Sequence, residues 1–350
     1  MEYVRNTWYP VAFSSDITHS LTRRTVVEQH LALYRTRANE VVALEDLCPH
    51  RLLPLSMGRL LDDAVQCGYH GMTFDRSGKC IRIPGQQVVP PSARVKAFPV
   101  VENLGLVWVW PGDPARADKT KVFDLPQYHD PGWTTTHGDA LHIRASYLSI
   151  CDNLIDPSHV SFVHLSTIGS SASEDVPVKT EQRGNTVLAW RWILDAPPVP
   201  VVAKLGRFKG NVDRWHYYYL HAPSVAVIDF GSSEPGAIGP DGDRSRGMQL
   251  FSCHFITPVD GHNTVDHWMH MRNFAPGDRA MSESIKAEFR VAFSEDKTIL
   301  EAIQHEEDRH GVNRRKVKLA LDASAVRLHR VIEQLIAEET RPLPTNIHST

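Results

Sequence analysis

Cysteine is scarce in this sequence: five in 350 residues, at positions 48, 67, 80, 151 and 253. An odd, dispersed set builds no disulfide framework, and a reducing cytoplasm suits it better. There is no block of basic residues, and with a formal net charge of −3 the chain offers nucleic acid no electrostatic footprint. No apolar run approaches the roughly 18 residues of a membrane span. The opening MEYVRNTWYPVAFSSDI lacks a charged segment followed by an apolar one, so no signal peptide is expected. Internal repeats and low-complexity tracts are missing as well. With 42% hydrophobic and 23% charged residues, disorder is also excluded.

What remains is a globular chain with two textures. Up to about residue 112, short β-branched and aromatic runs alternate with Gly, Pro, Asp and Ser: Thr25–Glu28, Leu31–Arg35, Val41–Leu44, Ala64–Cys67, Cys80–Ile83 and Leu106–Trp110. That pattern predicts a small antiparallel β domain. Pro111-Gly112-Asp113-Pro114 is a strong stop, so domains are expected at 1–112 and 113–350. Beyond it, Ala145–Leu165 has helical spacing interrupted at Pro157, and strands return over Thr186–Ile193, Trp215–Leu220, Val225–Phe230, Gln249–Phe255 and Thr264–Met271. Two amphipathic helices close the chain, Ser282–Glu307 and Ser324–Glu338. The expected class is α+β, with an antiparallel sheet flanked by helices in the second domain.

Nineteen histidines is a high count, and their spacing carries more information than their number. Cys48-Pro49-His50 and, sixteen residues on, Cys67-Gly68-Tyr69-His70 each join one thiolate to one imidazole. Two matched loops at the tips of adjacent hairpins would clamp a binuclear [2Fe–2S] centre with two Cys on one iron and two His on the other. A structural zinc site asks for the same four ligands, although zinc loops usually pair Cys with Cys and His with His.

A second constellation follows: Asn153, Asp156, His159 and His164, within Asp152–His164. Offsets of five straddle a helix face, and a kink at Pro157 would let both imidazoles converge. The helix after Ser282 carries its apolar stripe at 289, 293, 296, 300 and 303, and position 296 is an aspartate. A carboxylate on a buried face needs a cation, either an ion-pair partner such as Arg290 or a metal. Two His and one carboxylate make the facial triad of non-haem Fe(II).

Together these motifs resemble the Rieske non-haem iron oxygenases, whose pattern is C-x-H and C-x-x-H, then N-x-x-D-x-x-H-x₄-H, then a carboxylate about 130 residues later. Ile83-Pro84-Gly85-Gln86, Ser166–Gly169, Asp213-Arg214-Trp215 and Phe255–Pro258 are similar to the vanillate O-demethylase, toluenesulfonate methyl-monooxygenase and dicamba O-demethylase group. The resemblance implies a Rieske cluster on Cys48, His50, Cys67 and His70, and a catalytic iron on His159, His164 and Asp296 in a helix-grip-like domain. Asp156 would bridge His70 of a neighbouring subunit to His159 in a head-to-tail homotrimer, with Asn153 as a positioning amide near the iron.

It also implies O₂ as co-substrate, and electrons drawn from NAD(P)H through a flavin and iron–sulfur reductase. The reaction would be oxidative O-demethylation of an aromatic acid; hydroxylation of an aryl methyl group or ring carbon is the alternative. Asp229 and His254 fall near the substrate-binding positions. The basic run Arg314-Arg315-Lys316 with Lys318 is a candidate docking face for the reductase. An electron carrier using only the cluster would leave more than two hundred residues without chemistry.

Overall fold

The computed structural model describes residues 2–311 and 317–339. Arg314, Arg315 and Lys316 therefore lie outside the described residues. The first third is built of β1 (Tyr9–Phe13), β2 (Thr22–Val26), β3 (Gln29–Arg35), β4 (Val41–Glu45), β5 (Arg59–Leu61), β6 (Ala64–Gln66), β7 (Thr73–Phe74), β8 (Cys80–Arg82), β9 (Ala97–Phe98), β10 (Val100–Asn103) and β11 (Leu106–Val109). They form three small antiparallel sheets, ordered β1-β11-β10, β2-β3-β4-β9 and β5-β6-β7-β8. The sequence pattern located six of these strands, although the expected Thr25–Glu28 covers only the end of β2 and runs into the turn at Val27 and Glu28. It passed over β1, β5, β7, β9 and β10, most of them too short to show an alternation.

After a short helix α1 (Pro126–His129) come β12 (Thr134–Ile143), α2 (Tyr147–Leu154), α3 (Val160–Val163), β13 (Lys179–Arg183), β14 (Thr186–Ala196), α4 (Pro200–Lys204), β15 (Val212–His221), β16 (Val225–Ser233), β17 (Met248–Asp260) and β18 (Asn263–Arg272). The chain closes with α5 (Arg279–His310) and α6 (Ala323–Glu339). The seven strands make one antiparallel sheet, β12-β18-β17-β16-β15-β14-β13. The expected α+β class is observed. β12 and β13 escaped the sequence pattern because Thr134–Ile143 and Lys179–Arg183 are largely half-exposed and carry little apolar alternation.

Helix α5 starts where the Asp278 side chain accepts from the Met281 amide and stops at Gly311, whose φ of +68° only glycine adopts easily. Its buried stripe is Ile285, Phe289, Ala292, Phe293, Asp296, Leu300 and Gln304. Ile303, expected inside, is 45% exposed, because Gln304 takes the inner place to hold the Ser146 amide at 2.8 Å. The apolar stripe packs on the inner face of the sheet, against Met248, Leu250 and Trp268.

On the other side the β1 sheet shares a core with the large sheet, Trp8, Phe13 and Trp108 meeting Phe251, Phe255 and Met269. Backbone bonds from Val27 and Glu28 to the Pro258 and Val259 carbonyls lock the β2–β3 turn onto β17. Among the described residues no helix is long and apolar enough to cross a membrane.

Candidate active site

The two Cys/His loops are near copies. In each, the cysteine amide donates to the carbonyl five residues on (Cys48 to Leu53, Cys67 to Met72), and the residue four on donates back to the cysteine carbonyl (Leu52, Gly71). Both of those residues have positive φ, +62° and +71°. The pattern folds each loop so that its thiol points inward and its imidazole outward: Cys48 and Cys67 are 2% and 3% exposed, while His50 and His70 are exposed.

The second loop closes the β6–β7 hairpin. The first runs from β4 to β5, between two sheets, and is not a hairpin tip as the sequence suggested. Gly58 permits the approach, since a Cβ there would lie 2.1 Å from the Gln66 carbonyl oxygen. The imidazole centroids are 4.5 Å apart, and the Cys48 thiol is raised by burial, with a further push from the Cys67 thiol beside it. Two buried thiols facing each other beneath two paired imidazoles fit a cluster with one sulfur-ligated and one nitrogen-ligated iron.

The second constellation assembles differently from the expected kinked helix. Pro157 disfavours helical backbone at Asp156, so α2 ends at Leu154 and a separate one-turn α3 follows, with His159 and His164 as its two end caps. One turn brings both rings to one side, 5.3 Å between centroids. Gly169 lets the chain fold back over this turn, as a Cβ there would stand 2.3 Å from the Val160 carbonyl oxygen. Arg191 of β14 anchors the loop from below, donating to the Pro157 and Ser173 carbonyls at 2.6 and 2.7 Å.

Asp296 reaches this pair from α5. Its Oδ1 lies 3.5 Å from His159 Nε2 and 3.2 Å from His164 Nε2, and accepts from Asn153 Nδ2 at 3.0 Å. Arg290 pairs instead with Asp139, and Lys297 with Glu301. One ligand atom from each of His159, His164 and Asp296 lies within 4.8 Å of the others. Burial would raise the Asp296 carboxyl, but His164, His159 and Asn153 together hold it below the usual range. For His164 burial pulls down, and Asp296 and Glu295 outweigh it; for His159 burial wins and the imidazole is lowered.

An acid on the buried stripe is thus matched by two imidazoles turning Nε2 toward it, a donor set suited to a divalent transition metal. Behind His164, Glu295 Oε2 lies 2.8 Å from Nδ1, which fixes the ring with Nε2 toward the cluster. Sequence reasoning missed Glu295; nothing in its spacing marks it. Asp156 stands 4.0 Å from His159 Nδ1, which has no hydrogen-bond partner among the described residues, and accepts from the Ser158 amide.

A pocket opens beside His159, His164 and Asp296, walled by Ile168, His216, Tyr218, Ile228, Phe230, Ser252, Phe289 and Phe293. Strand register explains the lining: Tyr218, Ile228 and Ser252 are successive Cα partners across β15, β16 and β17, and His216 pairs with Phe230. These are even-numbered positions, so the odd-numbered Asp229 faces the opposite side of the sheet. There its carboxylate accepts from Trp215 Nε1, Arg244 Nε and Gln249 Nε2, each at 2.9 Å, and burial raises its pKa despite Arg244. The expectation that Asp229 touches substrate is corrected on that geometry. His254 is on the inner face, one bond behind the cavity wall: Nε2 lies 3.0 Å from Ser252 Oγ and Nδ1 2.7 Å from Asp266 Oδ2.

Residues 7–99 match the Rieske [2Fe-2S] domain, and residues 143–338 match the vanillate O-demethylase oxygenase C-terminal domain. The chain is 36% identical to the toluene-4-sulfonate monooxygenase system iron-sulfur subunit of Comamonas testosteroni, over 96% of this chain and 98% of that one. It is 32% identical to a vanillate O-demethylase oxygenase subunit of a Pseudomonas species, over 96% of each. The crystal structure of dicamba monooxygenase bound to 3,6-dichlorosalicylic acid superposes with a TM-score of 0.90 at 31% identity, covering 97% of this chain and all of that one. This chain belongs to the Rieske non-haem iron oxygenases of the vanillate O-demethylase group, and is the terminal oxygenase of a Rieske monooxygenase whose cofactors are a [2Fe–2S] cluster and a mononuclear iron.

Proposed function

We propose that this oxygenase hydroxylates a methyl C–H carried by an aromatic acid, and that the methyl belongs to a methoxy group. The hydroxylated product is a hemiacetal, which collapses to a phenol and formaldehyde. The observation that carries this reading is the aromatic-walled pocket beside His159, His164 and Asp296. Phe230, Phe289 and Phe293 form one apolar wall for the ring and keep water from the reacting carbon. The single polar lining group on β17, Ser252, is backed by His254 and Asp266 and can orient a ring substituent.

In this reading Cys48 and Cys67 hold one iron of the cluster and His50 and His70 the other, while His159, His164 and Asp296 hold the mononuclear iron. The cluster delivers electrons and the iron supplies O₂ activation when bound. Asn153 holds Asp296 in place, and Glu295 holds His164. Asp156 links His159 to His70 of a neighbouring copy in a head-to-tail trimer. Exposed apolar side chains on both faces support that contact: Leu52, Met57 and Tyr69 in or near the cluster loops, Phe162 and Leu165 near Asp156.

The electron source is a flavin- or ferredoxin-type reductase using NAD(P)H, as suits a relative named as one subunit of a monooxygenase system. A division at 112/113 separates the cluster-bearing sheets from the catalytic sheet. Buried, unpaired Cys80, Cys151 and Cys253, beside the two cluster cysteines, support a reducing cytoplasm.

A second reading, hydroxylation of an aryl methyl group, is favoured by the higher identity to the toluene-4-sulfonate relative, 36% against 32% for the vanillate one. Turnover of 4-methoxybenzoate and toluene-4-sulfonate with a reductase separates the two. Formaldehyde in step with NADH consumption supports O-demethylation. A hydroxymethyl product without formaldehyde establishes the second reading in its place.

A further inference from the structure

Arg214 is a cation buried without a counter-charge among the described residues. It is 2% exposed, and none of its three guanidinium nitrogens has a hydrogen-bond partner among the described residues. On β15 it occupies the same face as His216 and Tyr218, which line the cavity, one pleat beyond His216 or about 7 Å along the strand. Its cross-strand neighbours are Ile193 and Ser232, neither charged.

The adjacent acid, Asp213, faces the other side, where the Asp195 and Gly236 amides occupy both its oxygens. The charged neighbour acting on Arg214 is Arg191, a like charge. Burial and Arg191 together lower the guanidinium to about 10. Arg191 itself is fully employed on the Pro157 and Ser173 carbonyls. A buried ion left in this way is costly to the ligand-free fold and is neutralised when a matching ion enters.

We propose that Arg214 is the receptor for the anionic group of the substrate, a carboxylate or sulfonate on an aromatic ring, and so sets which end of the ring meets His159, His164 and Asp296. The inference rests on the aromatic-acid reading above. The planar fork of a guanidinium matches two oxygens of either anion. The acid lodges beyond His216, toward Arg214, the ring lies against Phe230 and Phe289, and the methyl group distal to the acid faces His159, His164 and Asp296. His216 is held neutral by burial and the two arginines, so it adds no competing charge.

The test uses holoenzyme, wild type and Arg214→Met, titrated calorimetrically with toluene-4-sulfonate and 4-methoxybenzoate and with two neutral counterparts, 4-tolyl methyl sulfone and 4-methoxybenzamide. Losing a buried charge partner is expected to weaken binding of the acids by roughly 30-fold or more, with the neutral arenes unchanged. Arg214→Met is also expected to raise the melting midpoint of the ligand-free protein, because an uncompensated charge has gone; a merely structural arginine would lower it. The tighter of the two acids identifies carboxylate or sulfonate as the preferred group.

Equal acid affinity in wild type and variant overturns the assignment, as does an equal loss for acids and neutral arenes. If Arg214→Met does not accumulate, Arg214→Lys decides. It keeps the charge without the fork, and an unchanged acid-to-neutral ratio overturns the proposal. If the wild type binds the neutral arenes and neither acid, the aromatic-acid reading itself fails; if it binds the acids and Arg214→Met does so equally well, only the role of Arg214 fails.

Discussion

Glu295→Gln isolates a contact that no motif announces. The Glu295 carboxylate lies 2.8 Å from His164 Nδ1, while His164 Nε2 faces Asp296. A carboxylate behind a ligating imidazole raises its basicity and fixes its tautomer, and losing such a partner typically costs roughly 10–100-fold in metal affinity. That is about 1.4–2.8 kcal/mol. The Glu295 side chain is 30% exposed, so water screens part of its charge and the lower end, near tenfold, is the expected value. Glutamine keeps the shape and an accepting oxygen, so the ring stays in place and only the charge is removed.

Holoenzyme of each form is titrated with a ferrous chelator, retained iron is measured, and the visible absorbance of the cluster serves as an internal control. The mononuclear iron should leave Glu295→Gln at about a tenfold lower chelator concentration, with cluster absorbance unchanged. Wild-type retention in both Glu295→Gln and Glu295→Ala would refute the argument, since neither charge nor hydrogen bond would then matter to the metal.

Asp156→Asn keeps an acceptor for the Ser158 amide but removes the charge 4.0 Å from His159 Nδ1. It should retain about three irons per chain, two in the cluster and one beyond, while coupled turnover falls by roughly tenfold or more; undiminished turnover eliminates the bridging role. Phe289, 1% exposed, packs 5.7 Å from Phe230 and 4.0 Å from His270, centroid to centroid. Phe289→Ala should cost about 3–5 kcal/mol in denaturant unfolding and admit bulkier rings, and a loss below about 1 kcal/mol would contradict its place in the core.

His329 of α6 lies 2.9 Å from Asp152 of α2, and the hydrogen bond to Asp152 raises its pKa above the ordinary value of about 6.5. A group with a raised folded-state pKa adds stability that is complete below its unfolded value and fades as pH climbs through the folded one. His329→Gln should therefore lower the melting midpoint more at pH about 5.5 than at about 8.5; an equal drop at both would show that the ion pair adds nothing.

Both proposed metal-ligand sets could be read from sequence because metals impose chemistry on short stretches. Cys48, His50, Cys67 and His70 are confined to two loops, and His159 and His164 to one turn. Asp296 was legible for another reason, an acid on the apolar stripe of a helix. Strand parity was the weak point. Asp229 and Ile228 are adjacent in the chain, and a one-residue error in alignment exchanges the cavity wall for the far side of the sheet. Short strands such as Thr73–Phe74 and Ala97–Phe98 carry too few residues to show a period at all.

Local sequence thus determined which residues are proposed to meet iron, since residue identity and loop spacing are properties of the chain itself. Tertiary structure alone decided what surrounds them. Glu295 reaches His164 across 131 positions, and Arg214 is stranded because its cross-strand neighbours Ile193 and Ser232 carry no charge. Neither could be read from the chain, because a partner or its absence is set by the register of strands and the docking of α5, and those contacts join residues that no local pattern relates.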